Sequence, residues 1–198
     1  MEQEVIIATL NEGKVKEFKQ LFGSKNWSVK SLRDFPEVEE VVEDGQTFAE
    51  NAKKKAEALS NRLGKMVIAD DSGLIVDALD GRPGIYSARY AGEEKDDKAN
   101  IDKVLNELAD LPSEDRTARF FCAMAVARPN EETLIYEGTC EGRITMEVIG
   151  ENGFGYDPIF FIPELQKTMA ELSPVQKNER SHRAKAIQLV FTHEHEWS

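Results

Sequence analysis

The chain has 198 residues, 40% of them hydrophobic and 31% charged, with 25 Lys and Arg against 37 Asp and Glu, a net charge of −12 at pH 7. This composition excludes a disordered or collagen-like chain, and the length suffices for one domain, or two lobes sharing one sheet, around a real core. The negative balance argues against a protein that coats a nucleic acid polymer or an anionic membrane, although a few local cations and a metal still hold a small anionic substrate.

The first four residues, Met-Glu-Gln-Glu, lack the basic stretch that opens a signal peptide. Residues 5–9 form a short β-branched run that reads as a buried strand, and 10–13 as a tight connection. Val15, Phe18, Leu21 and Phe22 then recur at helical spacing. Phe48, Ala52, Ala56, Leu59 and Leu63 predict a second helix. Residues 66–69 read as a strand running into Asp70-Asp71-Ser72-Gly73, and 74–79 as its continuation. Asp80-Gly81-Arg82-Pro83-Gly84 is dense in turn residues.

Ile101, Val104, Leu105 and Leu108 mark a third helix, closed by Pro112. Residues 118–127 and 134–146 suit an antiparallel pair of long strands, and 159–162 a further strand between prolines. Ala184, Ile187, Val190 and Phe191 trace a C-terminal helix that Ser181 is placed to cap. Strands mixed with helices of these lengths predict an α/β fold with a mixed sheet. The longest apolar run, 120–127, is far too short to span a membrane. Cys122 falls within it and is expected to be a buried thiol. With Cys140 the only other cysteine, neither a disulfide framework nor a zinc site is indicated. The simplest reading is a soluble, reduced, cytoplasmic protein.

Four segments carry candidate chemistry. Thr9-Leu10-Asn11-Glu12-Gly13-Lys14 leaves a strand and opens a helix, where free amides and the helix dipole favour an anion and Lys14 adds a point charge. It is not a Walker A loop, since no Gly-Lys-Ser/Thr ends it. Asp70-Asp71-Ser72-Gly73 places two carboxylates at a strand tip, suited to magnesium, which takes one or two carboxylates alongside phosphate oxygens. The acidic run Glu37, Glu39, Glu40, Glu43, Asp44 is a source for a second one.

Gly153-Phe154-Gly155-Tyr156-Asp157-Pro158 combines glycines that permit close backbone approach with two flat rings for stacking a base. Lys177 and Ser181-His182-Arg183 form the fourth. Two cations in the first turn of a helix oppose its dipole, a local conflict of the kind that marks functional sites. Each segment alone also suits an ordinary turn or a solvated face. His193 and His195 are expected to be solvent-exposed without a role.

Together with Phe48-x-Glu50-Asn51-Ala52-x-x-Lys55-Ala56 and Gly84-Ile85-Tyr86-Ser87-Ala88-Arg89-Tyr90-Ala91-Gly92, these segments occur in an order that closely resembles the inosine triphosphate pyrophosphatase, or Ham1-like, family over about residues 5–192. The resemblance implies an elongated mixed β-sheet flanked by helices, a single two-lobed domain over 1–198 with a central cleft, and a homodimer. It implies Mg²⁺-dependent hydrolysis of noncanonical purine nucleoside triphosphates (ITP, dITP, XTP) to the monophosphate and pyrophosphate.

On that resemblance Thr9, Leu10, Asn11, Glu12, Gly13 and Lys14 hold the triphosphate, with Lys55 nearby. Asp71 is the catalytic carboxylate and a metal ligand, and Ser72 contacts substrate. Phe154, Gly155, Tyr156, Asp157, Lys177, His182 and Arg183 frame the base. Leu10 stands where many relatives have Gly. Glu43 is the choice for the other metal carboxylate, with Asp44 and Glu40 as rivals. Competing readings are a Maf-like pyrophosphatase for other nucleotides and a nucleotide-binding protein without catalysis. The 82–92 segment suits packing or a dimer contact.

Overall fold

The computed structural model describes residues 3–196, so the expectation for the first two residues lies outside it. The elements in chain order are β1 (Gln3–Ile7), α1 (Glu12–Gly23), β2 (Trp27–Ser31), α2 (Phe48–Leu63), β3 (Val67–Val76), α3 (Asp97–Glu107), β4 (Thr117–Ala127), β5 (Leu134–Ile144), β6 (Phe160–Ile162), β7 (Lys167–Thr168), α4 (Pro174–Arg180) and α5 (His182–Thr192). The strands make one seven-stranded sheet in the order β2-β1-β3-β4-β5-β6-β7. β1 pairs in parallel with β2 and β3, whereas β6 is antiparallel to β5 and β7. The sheet is therefore mixed, as the alternation of strands and helices predicts.

The helices start where their caps dictate. Asn11 Oδ1 accepts from the Lys14 amide at 3.0 Å and opens α1. Thr47 Oγ1 accepts from the Glu50 amide at 3.1 Å and opens α2, which Gly64 closes in the left-handed region at φ 64°. Asp96 caps α3 through the Ala99 amide at 3.1 Å.

Asp70-Asp71-Ser72-Gly73 is not a strand tip: 67–76 is one continuous strand, buried along most of its length. Turn-prone residues stay extended as part of a long interior strand of the sheet, which β1 pairs only at Val67 and Ile68, and this tertiary setting outweighs local preference. Sequence reading also passes over β2, β7 and α4.

The chain divides into two compact units, one of residues 1–71, 122–138 and 184–198, the other of 72–121 and 139–183. The core of the first packs Phe18 and Phe22 of α1 with Val5, Ile7, Ile68, Met124, Val126, Ile187 and Val190. Cys122 is buried among them. The core of the second joins Leu74 and Val76 of β3, Ile101, Val104 and Leu108, and Phe120, Ile144, Tyr156, Ile159 and Phe160. The Phe120 and Phe160 rings are in contact, tilted at 37° with centroids 4.3 Å apart.

In the second unit Arg116 is fully buried. It donates to the carbonyls of Leu108 (2.7 Å), Thr145 (2.9 Å) and Leu111 (3.0 Å), gathering the end of α3 and the chain after β5. A guanidinium beside the last carbonyls of a helix complements its dipole. Arg116→Ala strands these buried acceptors and is expected to cost about 3 kcal/mol or more. A urea titration checks this, and an unchanged midpoint overturns it.

Candidate active site

In the first unit two lysines and three carboxylates converge. Lys14, in the first turn of α1, sets its Nζ 2.9 Å from Asp70 Oδ2. Lys55, on the buried face of α2, donates to the Asp70 carbonyl at 2.7 Å and pairs with Glu43. Asn51, one turn earlier on the same face, spans the set. Its Nδ2 donates to Asp71 Oδ2 at 3.0 Å and its Oδ1 accepts from the Gly45 amide at 2.8 Å.

The acidic loop before α2 is folded onto that helix by its own first turn. The Gln46 amide donates to Glu50 Oε2 at 2.7 Å beside the Gly45–Asn51 bond. A Cβ at Gly45 would lie 2.7 Å from Asn51 Oδ1, so glycine is required for this approach. The loop thereby delivers Glu43 to Lys55. Asp44, itself largely exposed, instead pairs with Lys54, and Glu40 is exposed. Of the three rivals, only Glu43 is brought to the cluster.

The electrostatics separate the acids. Burial pushes the Asp71 carboxyl above its ordinary value, against the pull of Lys55 and Lys14. Burial also works to raise Glu43, but Lys55, with help from Lys14, outweighs it and holds this carboxyl low. Lys55 is held above its usual value because Asp71, Glu43 and Asp70 together overcome the effect of burial.

In the second unit Phe154 is half-buried, with Lys177 Nζ 4.7 Å and Arg183 Cζ 5.8 Å from its ring centroid. Asp157 Oδ2 accepts from the Phe154 amide at 3.0 Å and from Lys177 Nζ at 2.6 Å. Gly153 stands at φ 80°, and a Cβ there would collide with Asp157 Oδ2. Arg183 Nη2 donates to Ser72 Oγ at 2.8 Å. His182 lies flat on Phe120, with centroids 4.9 Å apart and planes at 19°. Lys177, His182 and Arg183 are all buried. The first-turn cations of α5 are thus buried rather than solvated, one against Phe120 and the other bonded to Ser72.

A profile of the Ham1 family matches residues 5–193. The chain belongs to the Ham1 family. It is 60% identical over 185 residues to the dITP/XTP pyrophosphatase of Halalkalibacterium halodurans, covering 93% of this chain and 95% of that one. To the dITP/XTP pyrophosphatase of Bacillus subtilis it is 58% identical, covering 93% of each. The structure of the Staphylococcus aureus Ham1 protein is similar at a TM-score of 0.87 and 48% identity, over 99% of this chain and 100% of that one.

In this Ham1-family chain the remaining predicted residues fall as follows. Thr9 Oγ1 accepts from the Asn11 amide at 3.1 Å, shaping the loop before α1. Leu10 is exposed and is not among the residues with positive φ, so this loop does not need glycine there. Glu12 carries its carboxylate in the open, 2.7 Å from Arg33, so its contribution to an anion site is its amide alone. Gly13 lies within α1 and Ser72 within β3. Tyr156 does not offer a stacking face: its ring is buried in the core and its hydroxyl donates to the Ser87 carbonyl at 2.7 Å. Burial raises that phenol far above its ordinary value. His193 is half-buried and stacks on Tyr136 at 5.6 Å, rather than standing free in solvent.

Sequence reading assigned no role to Asn51, although its motif was in view. A buried polar residue on the apolar face of α2 was the available signal.

The two carboxyls are shifted in opposite directions. Glu43 ionises below the ordinary 4.5 and Asp71 above the ordinary 3.8. A lowered folded value means that Glu43 stabilises the fold above its unfolded pKa, and that this contribution is lost as pH falls through the lowered value. Asp71 has the opposite sign: it favours folding at low pH and opposes it once pH rises through the raised value. Carboxyl NMR titration of the metal-free protein reads both. Asn51→Ala removes a donor to the ionised form and is expected to move Asp71 further up. Finding Glu43 at or above 4.5, or Asp71 at or below 3.8, in the metal-free protein overturns this account.

Proposed function

We propose that this chain hydrolyses noncanonical purine nucleoside triphosphates, dITP and XTP with ITP, to the monophosphate and pyrophosphate. The observation that carries the reading is the presence of both a buried lysine–carboxylate cluster and a cation-flanked aromatic loop in a chain about 60% identical to enzymes named for that activity. Asp71 belongs to the first set and Ser72, its neighbour in β3, to the second.

The donor set fits a hard divalent cation such as Mg²⁺. Glu43, Asp70 and Asp71 supply oxygen ligands only, and two ammonium groups against three carboxylates leave the cluster negative, so a polyanionic tail needs a further cation. Among the described residues no three Asp, Glu, His or Cys side chains form a ready-made cage. That suits an ion sharing one or two carboxylates with phosphate oxygens. Asp71 and Glu43 would hold it, and when bound it supplies charge neutralisation at the phosphates and a lowered pKa for water.

The protein's own residues do the rest. The amides of the Thr9–Lys14 loop receive the phosphates at the start of α1. Asp71, kept basic by its raised pKa and oriented by Asn51, aligns a water for attack on the α-phosphorus and takes its proton. The bond to the β-phosphate oxygen breaks, and Lys14 and Lys55 exchange their carboxylate partners for the pyrophosphate that leaves.

At the base, donors from Lys177, His182 and Arg183 satisfy the 6-oxygen of hypoxanthine or xanthine and oppose the 6-amino group of adenine. Unpaired buried donors then cost adenine several orders of magnitude. Membership of the Ham1 family disfavours the Maf-like alternative, and the cluster around Asp71 disfavours a protein without catalysis. The family resemblance also carries a homodimer and a cytoplasmic setting into the proposal. No helix among the described residues is long and apolar enough to cross a membrane.

The test is purified protein with Mg²⁺ and dITP, XTP, ITP, dGTP and ATP, scored for pyrophosphate against orthophosphate. Pyrophosphate from dITP and XTP is expected, with ATP slower by about 10³-fold or more. Equal rates on ATP and dITP, or orthophosphate as the product, overturn the reading. Asp71→Asn is expected to retain its melting temperature and lose about 10³-fold in kcat, and EDTA to abolish turnover reversibly.

A further inference from the structure

Phe154 sits between two glycines in the left-handed region, Gly153 at φ 80° and Gly155 at φ 58°. Such a segment has wide conformational freedom unless something outside it fixes its path. On one side the Phe154 amide is held locally, by Asp157 three residues on. On the other the Gly155 amide donates at 2.8 Å to Asp97 Oδ2, 58 residues away at the first position of α3. Asp97 does not cap its own helix. Asp96 does that through the Ala99 amide, leaving the Asp97 carboxylate turned to the glycine loop.

Helix α3 is a firm base for such a contact. Ile101, Val104 and the following Leu108 are buried in the same core as Tyr156. One turn after Asp97, Asn100 accepts from the Ala91 amide at 2.7 Å and donates to the Ala88 carbonyl at 3.1 Å. That fixes the segment whose Ser87 carbonyl receives the Tyr156 hydroxyl. The start of α3 therefore holds the loop at Gly155 directly and at Tyr156 through the 84–91 turn.

We infer that Asp97 is a positioning residue for base selection: by accepting from the Gly155 amide it sets where the Phe154 ring stands against Lys177 and Arg183. This rests on the proposed function for its kinetic consequence, but not for the contact itself. Asp97 touches neither the lysine–carboxylate cluster nor the phosphates in this scheme. Its loss loosens the wall that reads the base and leaves the hydrolytic groups in place.

The experiment compares Asp97→Ala with Asp97→Asn, whose amide oxygen still accepts from Gly155 while the charge is gone. Asp97→Ala is expected to raise KM for dITP about 10-fold, with kcat within about twofold, and to lower the preference for dITP over dGTP by a similar factor. Asp97→Asn is expected to stay near wild type in all three. A purely structural role at the helix start instead moves melting temperature and affects every substrate alike. Amide hydrogen exchange at Gly155 is measured on the same proteins, and is expected to quicken about 10-fold in Asp97→Ala and hardly at all in Asp97→Asn.

Unchanged KM and selectivity in Asp97→Ala, or failure of Asn to rescue, overturns the inference. Wild-type protein inactive on dITP sinks the proposed function instead. In that case Gly155 exchange still decides the clamp, and equal exchange in all three proteins overturns it.

Discussion

The first unit is organised by one constraint, the burial of the Lys55 ammonium. Lys55 lies on the same face of α2 as Ala52, Ala56 and Leu59, a face committed to the interior. An ion moved there loses several kcal/mol of hydration. A unit pair near 4 Å returns about 4 kcal/mol at the effective dielectric of a protein, so one partner roughly balances the loss and a margin needs more. Glu43 and the Asp70 carbonyl bond the ammonium directly, with Asp71 and the Asp70 carboxylate adding to the field. Meeting that need pulls the acidic loop inward, and Gly45 and Asn51 exist in their present geometry to let it come.

Carboxylates held this way are poised between partners. Lys14, Lys55 and Asn51 engage them in the structure as it stands. In the proposed reaction a polyphosphate would compete for the same ammonium groups, and each lysine that turned to phosphate would uncover an oxygen suited to a divalent ion. The same logic explains why Asp70 and Asp71 occupy mid-strand positions. On successive residues of β3 their side chains project to opposite faces, so one meets Lys14 of α1 while the other meets Asn51 of α2.

How much of this is legible in the sequence depends on range. The apolar spacing of Val15, Phe18 and Phe22, and of Ala52, Ala56 and Leu59, is a local property that survives folding, and both helices lie where it places them. Asp70 to Gly73 reads as a turn because its residue types favour one, yet its place within a long interior strand, which the local sequence does not contain, keeps it extended. Tyr156 looks like a stacking ring beside Phe154. Whether a ring faces a ligand or a core depends on Ser87, 69 residues earlier. Glu43 is told apart from Asp44 and Glu40 only by which of them Lys55 meets. Asp97 sits in a run of charges that is indistinguishable, residue by residue, from a solvated surface.

The chain carries −12 overall and is proposed to act on a polyanion, which is a conflict only at long range. Beyond a Debye length of about 8 Å at physiological salt the field of the surface acids is largely screened. Inside that distance the decisive charges are individual and fixed. Lys55, Lys177 and Arg183 are buried, each already oriented by an acceptor in the fold, namely Glu43, Asp157 and Ser72. A cation prepared in this way loses little conformational freedom when a ligand replaces or joins its partner, whereas a mobile surface lysine must be ordered first. Under the proposed function, selection among bases rests on the geometry of donors held in place rather than on net charge, and an acidic surface is no obstacle to it.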